Sequence, residues 1–322
     1  PLNQQCNPVM RSPLNKILLC LILALCVPLE SGLAAGSAGF SLTCKGISTS
    51  RHIFSIFVMP GETVSLRVHK IKAGDEIAVR SEFGCTRRSA EEVVFHAPAA
   101  PGVYPCTFYR SQPSDSIRLQ VFVLTPYLGT EKLDEYQIGS YPSRVMQTLT
   151  HHATPAGFIR VTKEMETMHL SPHFRVAQFL CKQPGDYPKF VCIQEKLLHK
   201  LELILDHLAQ KGFECATLAI LSGFRTPAYN KAIGNVPYSW HCWGGAADIF
   251  VDRDGNGNMD DLNRDGRCDL LDAEQLRDWI EAWSREPVFA SLLGGLARYR
   301  RTHSHGPFVH VDVRGSAASW GE

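Results

Sequence analysis

The chain has 322 residues with 33 basic and 32 acidic side chains, which gives a formal net charge of +1. Hydrophobic residues make up 44% and charged residues 20%, so the composition is that of a globular protein and excludes a wholly disordered or collagen-like chain. Because a near-neutral chain has no global field that attracts nucleic acid, we expect no nucleic-acid partner. This length favours two domains.

The first segment, residues 1–38, has the features of a secretory leader. Arg11 and Lys16 precede an apolar run at 17–29, and small residues follow it up to Ala38. A positive start, a short apolar core and small residues at the exit are typical of a signal peptide, and this run is short for a bilayer span. We therefore expect export to the periplasm or cell envelope, with no stable membrane span after the leader is removed.

The cysteines after residue 38 are eight in number, which fits disulfide bonds in an exported protein and equally fits buried free thiols. The absence of a Cys-x-x-Cys pair argues against a cysteine-rich zinc site. Cys85 with Cys106, and Cys181 with Cys192, are candidate local pairings within single domains. Spacing leaves the connectivity open.

Residues 39–125 have the pattern of an immunoglobulin-like β-sandwich. Short runs rich in Val, Ile, Phe and Thr alternate with Pro-Gly and Ala-Gly turns, for example at 53–59, 63–68 and 92–96. This region carries no titratable cluster, so we expect it to be a spacer or a wall-binding module. Residues 126–157 are polar and contain several turn residues, which predicts a linker with one helix near its middle, at about 143–151.

Residues 158–322 mix helix and strand signals. Apolar residues at spacings of three and four predict a helix at 192–212, and Gly212 is expected just after its C-terminus. Three further elements are predicted in this order: a buried strand at 217–221, an amphipathic helix at 272–285 and a terminal strand at 308–313. The sequence thus predicts a multidomain protein with an N-terminal β-sandwich and a C-terminal α+β domain.

Three separated residues offer donors for a metal ion. His241 and Asp248 supply an imidazole nitrogen and a carboxylate oxygen on the two sides of a Gly-Gly turn, and His310 supplies a second imidazole from the terminal strand. Two histidines, one carboxylate and an open fourth position form a catalytic zinc site. Any one of these histidines, taken alone, is more often a hydrogen-bonded core or surface residue.

The strings around these residues resemble the M15 peptidases, the zinc D-Ala-D-Ala carboxypeptidases. They are Ser-Gly-Phe-Arg-Thr-Pro-Ala-Tyr-Asn from Ser222, Ser-Trp-His from Ser239 with an aspartate seven residues after the histidine, and His-Val-Asp-Val from His310. The resemblance covers about 170–314. It implies the fold that hedgehog domains share with DD-peptidases, one catalytic zinc ion held by the three donors, and hydrolysis of peptidoglycan stem or cross-link peptides by a metal-activated water.

The resemblance also implies roles for residues near the zinc ligands. Arg225 grips a substrate carboxylate or supports the site structurally through charge-assisted hydrogen bonds, and Ser239 orients a ligand or the substrate. Tyr229 flanks the site in the sequence, where it lines a substrate groove or packs in the core.

The general base departs from the family pattern. Many M15 relatives carry Glu or Asp three residues before the last histidine, where this chain has Pro307. We expect His305 to take the proton from water, with His303 and Asp312 as rivals, although Asp312 could equally fix a ligand imidazole. If no base is present, the alternative is a cell-wall binding protein stabilised by zinc and calcium. Hedgehog domains show that this fold can keep a non-catalytic zinc site. A peptidase for exported proteins is a third reading.

An acidic insertion at 252–272 follows Asp248 closely and has the spacing of an EF-hand or dockerin-type calcium loop. The predicted ligands are Asp261, Asn263, Asp265, the backbone carbonyl of Arg267, Asp269 and Asp272, with Gly266 at the sharp turn. A second set with the same spacing is Asp252, Asp254, Asn256 and Asp260. We expect one calcium ion or two, and a solvated acidic loop is the alternative.

Overall fold

Two β-sheets make up the N-terminal part of the protein. The computed structural model describes residues 37–69, 76–111, 114–142 and 153–321, so the predicted leader up to residue 36 and the predicted helix at 143–151 lie outside the described residues. The strands are β1 (Ser37–Cys44), β2 (Ile47–Arg51), β3 (Ile53–Val58), β4 (Thr63–His69), β5 (Ile77–Ser81), β6 (Cys85–Arg87), β7 (Glu92–His96), β8 (Gly102–Arg110) and β9 (Asp115–Val123). One sheet has the order β2-β1-β4-β7-β6 and the other the order β3-β9-β8-β5.

The inward side chains of both sheets share one hydrophobic core. In β4, Val64, Leu66 and Val68 are buried and alternate with exposed residues, as expected for a strand with one solvated face. Strand β3 is buried along its whole length, because its second face packs against the C-terminal part of the protein. Phe57 of β3 and Phe122 of β9 accordingly belong to the second hydrophobic core.

Five short strands connect the two sheets to the rest of the chain: β10 (Thr125–Pro126), β11 (Lys132–Leu133), β12 (Tyr136–Gln137), β13 (Gly157–Val161) and β14 (Lys189–Val191). Tyr127, Tyr136 and Ile138 are buried in the second core. The segment predicted as a linker therefore contributes core side chains over its described part.

The C-terminal part contains the helices α1 (Glu195–Gln210), α2 (Pro227–Ala232) and α3 (Leu270–Trp283) and the strands β15 (Ala219–Ser222), β16 (Ala246–Phe250), β17 (Gly295–Tyr299), β18 (Phe308–Asp312) and β19 (Ala318–Gly321). Its sheet has the order β15-β16-β18-β17-β19, in which only the β17–β19 pair is parallel. Helix α3 contacts β17 and β18. Val309 and Val311 are fully buried and belong to the same core as Leu276 and Ile280 of α3.

Helix α1 has buried side chains on more than one face. Its apolar stripe packs in the C-terminal core, while β2 and β3 contact it from the other side. Charged groups join the two parts there: Arg51 lies 3.2 Å from buried Glu202 and 2.5 Å from Asp206. Glu202 also accepts hydrogen bonds from the backbone N–H (3.0 Å) and Nδ1 (2.7 Å) of His173. The sandwich is thus held against α1 by a buried charge network.

The described residues all belong to one compact unit. No helix in the described part of the chain is long and apolar enough to cross a membrane. Cys85 and Cys106 have their sulfur atoms 3.3 Å apart, between strands of the two opposed sheets. Cys181 and Cys192 contact different groups, the side chain of Gln183 and the carbonyl of Trp243, respectively.

Candidate metal centre

One face of the C-terminal sheet carries most of the site. Asp248 of β16 pairs with His310 of β18, and their side chains therefore leave the sheet on the same face. Because side chains alternate along a strand, Phe308 and Asp312 share that face with His310. Ala246 pairs with Asp312, and a Cβ at Gly295 would collide with the side chains of Asp312 and Trp320, so the packing around Asp312 requires small residues.

His241 reaches the same place from a one-turn 3-10 helix, Trp240–Trp243. The turn ends at Gly244, which is left-handed with φ 66°, and a Cβ there would collide with the carbonyl of Cys192. Only glycine fits this position, since it combines a positive φ with a close backbone approach. The tight turn then leads directly into β16 and brings His241 over Asp248.

The three predicted donors converge on one point. Nε2 of His241 lies 3.2 Å from Oδ1 of Asp248 and 3.2 Å from Nδ1 of His310, and that Nδ1 lies 3.0 Å from the same carboxylate oxygen. All three side chains are buried. They form a His-Asp-His group that could hold a metal ion.

Hydrogen bonds fix which nitrogen of each imidazole carries the lone pair. Nδ1 of His241 lies 2.7 Å from the carbonyl of Gly223, and Nε2 of His310 lies 3.2 Å from a carboxylate oxygen of Asp312. Both partners only accept, so these two nitrogens carry the protons and the two nitrogens that face each other are lone-pair donors. Two lone pairs and a carboxylate oxygen within 3.2 Å of one another repel unless a cation lies between them, so the donor set fits zinc.

Charged groups around the donors hold them in place. Nη2 of Arg225 donates to Oδ2 of Asp248 at 2.5 Å, and Nε of Arg225 donates to Oγ of Ser222 at 2.8 Å. Asp312 accepts from the backbone N–H of Gly295 at 2.6 Å and from Nε of Arg314 at 3.0 Å. Each ligand therefore has a partner that orients it, as in metal sites generally.

The backbone behind the last ligand strand is held by a buried lysine. Nζ of Lys200, on α1, donates to the backbone carbonyl of Asp312 at 2.8 Å. Burial lowers the pKa of Lys200 to about 8. The helix that contacts the sandwich thus also contacts the strand that carries His310.

Asp248 and His241 have protonation states that suit metal ligands. Burial raises the pKa of Asp248, but the imidazoles of His241 and His310 outweigh burial and hold the pKa well below its usual range. Burial also lowers the pKa of His241, which keeps this imidazole neutral. For His310, burial acts in the same direction, but hydrogen bonds with Asp248 and Asp312 outweigh it and raise the pKa. An ionised carboxylate and a neutral imidazole are thus in place near neutral pH.

The donors line the floor of an open cavity of about 560 Å³. Its other lining residues are Arg225, Asn235, Val236, Tyr238, Ser239, Trp240, Tyr299, Phe308, Arg314 and Trp320. Ser239 precedes the 3-10 helix, and its hydroxyl has no hydrogen-bond partner among the described residues. The cavity therefore combines a metal-binding floor with a free hydroxyl and two arginines.

Two predicted site residues lie outside this cavity. Tyr229, on α2, lines a second cavity of about 490 Å³ together with Tyr136 and Tyr187. His305 does not line the metal cavity, although its ring contacts Phe308, which does, at 5.0 Å between centroids. Its Nδ1 lies 2.8 Å from the carbonyl of Gly306.

Several other residues that line the cavity were not predicted from the sequence. Phe308 could have been found, because it lies two residues before His310 in the same strand and therefore on the same face. Tyr299, Arg314 and Trp320 carry no motif of their own. Tyr299 and Trp320 reach the cavity through the pairing of β17 with β18 and β19, which single-sequence patterns do not show.

The acidic insertion folds as two similar loops of nine residues. In each loop, the carboxylate of the first aspartate accepts backbone hydrogen bonds from the fifth and sixth residues: Asn256 and Gly257 donate to Asp252 at 2.9 Å, and Asp265 and Gly266 donate to Asp261 at 3.1 and 2.8 Å. The structure also brings carboxylate oxygens of Asp252, Asp254 and Asp260 within 4.8 Å of one another.

Asp272 lies inside the protein and closes the loop that starts with Asp261. It is fully buried and accepts from the backbone N–H groups of Leu262 at 2.7 Å and Asp269 at 2.8 Å. The contact with Asp269 belongs to a capping box at the start of α3. Met259 and Leu262 are buried in the core, which anchors the insertion next to β16.

Comparison with known families identifies the central part of the C-terminal region. Residues 172–281 match the family model described as Peptidase M15. This segment includes His241 and Asp248 and ends before His310. No curated protein matches the chain. The match supports a metallopeptidase, and the resemblance of the motifs to this family is confirmed over the matched residues. Residues 172–281 are thus similar in sequence to the M15 peptidases.

Proposed function

We propose that the protein is an exported zinc metallopeptidase that hydrolyses stem or cross-link peptides of peptidoglycan. The observation that carries the proposal is the convergence of two imidazole lone pairs and one carboxylate oxygen on the floor of an open cavity. This set leaves a coordination position open toward the cavity, as catalytic zinc sites do. The M15 match supports the same activity from an independent direction.

The ligands for zinc would be His241, Asp248 and His310. A bound zinc ion supplies Lewis-acid polarisation of the scissile carbonyl and activation of water. Arg225 keeps the carboxylate of Asp248 oriented, and Asp312 keeps the imidazole of His310 oriented. These contacts fix the geometry before a substrate arrives, which lowers the cost of reaching the transition state.

The cavity suits a peptide that ends in a free carboxylate. Arg225 and Arg314 both line it, and in the described residues neither Nη1 has an acceptor. Arg225 is almost fully buried, whereas the side chain of Arg314 is 26% exposed. We propose that Arg314 meets the substrate carboxylate and that Arg225 acts mainly on Asp248. Ser239 would offer its hydroxyl to the peptide backbone.

We propose His305 as the general base. The carbonyl of Gly306 accepts from Nδ1, so Nε2 carries a lone pair that is free to accept a proton. Asp312 is a weaker candidate, because its oxygens already accept from His310, Gly295 and Arg314. His305 lies in the loop before β18 and contacts the cavity wall through Phe308.

The test is peptide release from muropeptides ending in D-Ala-D-Ala and from cross-linked muropeptides, followed by mass spectrometry. We expect release that a zinc chelator abolishes. Replacing His305 by Ala should lower kcat about 100-fold, a usual loss for a general base, without lowering the zinc content. His303→Ala is the matched control, since His303 is exposed in the same loop, and it should stay within about twofold of the wild type.

If the protein binds one zinc per chain but cleaves neither substrate, the peptidase proposal fails. The alternative, a non-catalytic wall-binding protein, then takes its place. Pro307 favours that alternative, because it stands where relatives carry a carboxylate base. Equal losses in the His303 and His305 variants would overturn the choice of base.

We propose calcium as the ligand of the acidic insertion, at the loop that starts with Asp261 and also at the loop that starts with Asp252. Two observations support it: the same hydrogen-bond geometry occurs in both loops, and the loop that starts with Asp252 brings three carboxylates close together. Calcium prefers oxygen ligands in flexible loops of this kind. Bound calcium would stiffen the chain that leaves β16 directly after Asp248.

Calcium should therefore protect residues 252–272 from proteolysis. We expect millimolar calcium to slow cleavage in this segment at least tenfold. An ion in excess over its Kd lowers the population of the open, cleavable loop in proportion to that excess. Asp261→Asn should remove much of the protection. Asp278→Asn, an exposed aspartate on α3, is the control and should keep it. Equal cleavage with calcium and with chelator would show that the insertion is a solvated loop.

The β-sandwich is proposed to be an immunoglobulin-like spacer or wall-binding module of the exported protein. The leader features of residues 1–38 support export. Packing of β3 against the C-terminal core supports a fixed rather than a loosely tethered module.

A further inference from the structure

Tyr299 stands on the same face of the sheet as the metal donors. It pairs with Phe308 in the β17–β18 register, and Phe308 lies two residues before His310. Paired residues of an antiparallel sheet leave it on the same side, so the phenol and the His310 imidazole share one face. Tyr299 lines the metal cavity, and its ring is stacked on Phe308 at 4.7 Å between centroids.

Trp320 holds the phenol in one orientation. Its indole Nε1 lies 3.0 Å from the hydroxyl oxygen of Tyr299. Trp320 reaches this position because β19 pairs in parallel with β17, which sets it beside Ala297, the residue opposite His310. The indole ring also lies 5.3 Å from the imidazole of His310. The indole that holds the phenol thus lies beside a metal ligand.

The contact with Trp320 determines what the phenol can do. An indole N–H only donates, so the hydroxyl oxygen of Tyr299 must accept this hydrogen bond. The hydroxyl hydrogen then remains available, and among the described residues no protein group accepts it. A fixed donor without an acceptor, in the wall of a reaction cavity, is suited to bind charge that develops in a transition state.

The two arginines in the cavity each use Nη2 for an ion pair. Arg225 is ion-paired with Asp248, and Arg314 is ion-paired with Asp312. Tyr299 is a neutral donor in the same cavity, and Trp320 holds its hydroxyl in place.

We propose that Tyr299 is a catalytic residue whose phenol donates a hydrogen bond to the substrate carbonyl oxygen as that oxygen gains negative charge. No bond to Tyr299 forms or breaks, and the phenol keeps its proton throughout. Trp320 acts as a positioning residue through the phenol oxygen. This inference rests on the proposed peptidase function, and it adds a residue that binds the reacting oxygen.

The test compares Tyr299→Phe with the wild type in two assays. The first is turnover of a D-Ala-D-Ala muropeptide, where kcat should fall about 100-fold with KM within twofold, since loss of one such donor costs about 100- to 1000-fold. Tyr104→Phe is the matched control, because that phenol donates to the carbonyl of Ala100 in the sandwich. It should leave both constants unchanged.

The second assay needs no turnover. The cobalt-loaded protein is titrated with a phosphinate analogue of acyl-D-Ala-D-Ala, which is tetrahedral and anionic, and with the planar product acyl-D-Ala, and the cobalt absorption bands report binding. Tyr299→Phe should weaken the phosphinate at least 20-fold and the planar product less than threefold. Trp320→Phe should show a smaller loss in the same direction.

The outcomes separate this inference from the proposed function. If the wild type cleaves no muropeptide but Tyr299→Phe still weakens the phosphinate selectively, the peptidase proposal fails and the donor role of Tyr299 stands. If the phosphinate binds equally to the wild type and to Tyr299→Phe, or does not bind to the wild type, the role of Tyr299 is overturned. Equal losses for phosphinate and planar product would show that the ring only shapes the cavity, which also overturns it.

Discussion

Replacing His241 by Ala should remove zinc from the protein and abolish peptide release. Structural zinc sites bind with about 10–16 kcal/mol, so each of three protein ligands accounts for about 4 kcal/mol, or about 1000-fold in affinity. At micromolar protein we expect the zinc content to fall from one per chain to near zero after dialysis. Because Nδ1 of His241 binds the carbonyl of Gly223, the replacement also frees that loop locally.

The control for this replacement is His96→Ala. His96 is an exposed histidine at the end of β7, which belongs to a sheet of the sandwich and not to the sheet of the metal donors. It should keep one zinc per chain and full turnover, and near-ultraviolet circular dichroism checks that both variants are folded. One zinc per chain in His241→Ala would contradict the metal centre described here.

Replacing Glu202 by Gln should lower the free energy of unfolding at pH 7 by about 3 kcal/mol. Removing one partner of a buried ion pair leaves the other charge uncompensated, which costs about 3–5 kcal/mol. Arg51 keeps its second partner, Asp206, so we expect the lower end of this range. Urea denaturation measures the loss, and Asp206→Asn is the control, because its side chain is 44% exposed and exposed pairs contribute about 1 kcal/mol or less.

The effect of Glu202 should depend on pH with a definite sign. Burial raises its pKa, but hydrogen bonds from His173 and the charge of Arg51 outweigh burial and lower it. A carboxyl whose pKa is lowered in the folded state stabilises the protein above its unfolded pKa of about 4.3, and this contribution is lost as the pH falls through the folded-state pKa. The difference between the wild type and Glu202→Gln should therefore shrink below about pH 4. Equal stability of both proteins at pH 7 would show that the network does not join the sandwich to α1.

Periodicity predicted the main helix of the C-terminal part, but it did not predict how that helix is buried. The stripe at 192–212 appears as α1, and Gly212 follows its end with φ 82°, which confirms the predicted stop. Lys200 and Glu202 are also buried, because Lys200 reaches the backbone carbonyl of Asp312 and Glu202 faces Arg51 of β2. A pattern within one helix cannot indicate which distant strands will pack on it.

In the site, too, residues in local sequence motifs were predicted, and residues brought in by strand pairing were not. His241, Asp248 and His310 stood out because each lies in a specific string, and the structure brings them together. Tyr299 and Trp320 were missed, since they reach the cavity only through strand pairing. Tyr229 lies near Arg225 in the sequence but lines another cavity. Nearness along the chain was therefore a poor guide to the residues of the metal cavity, whereas alternation along β18 was a good one.

Zinc K-edge X-ray absorption on the loaded protein tests the metal centre most directly. We expect one zinc per chain with nitrogen and oxygen neighbours at about 2.0–2.1 Å, two imidazole rings and no sulfur. The chain has 11 cysteines, so a sulfur site is a real competitor. A sulfur shell at about 2.3 Å, or zinc retained when His310 is replaced by Ala, would contradict the assignment of His241, Asp248 and His310 as the ligands.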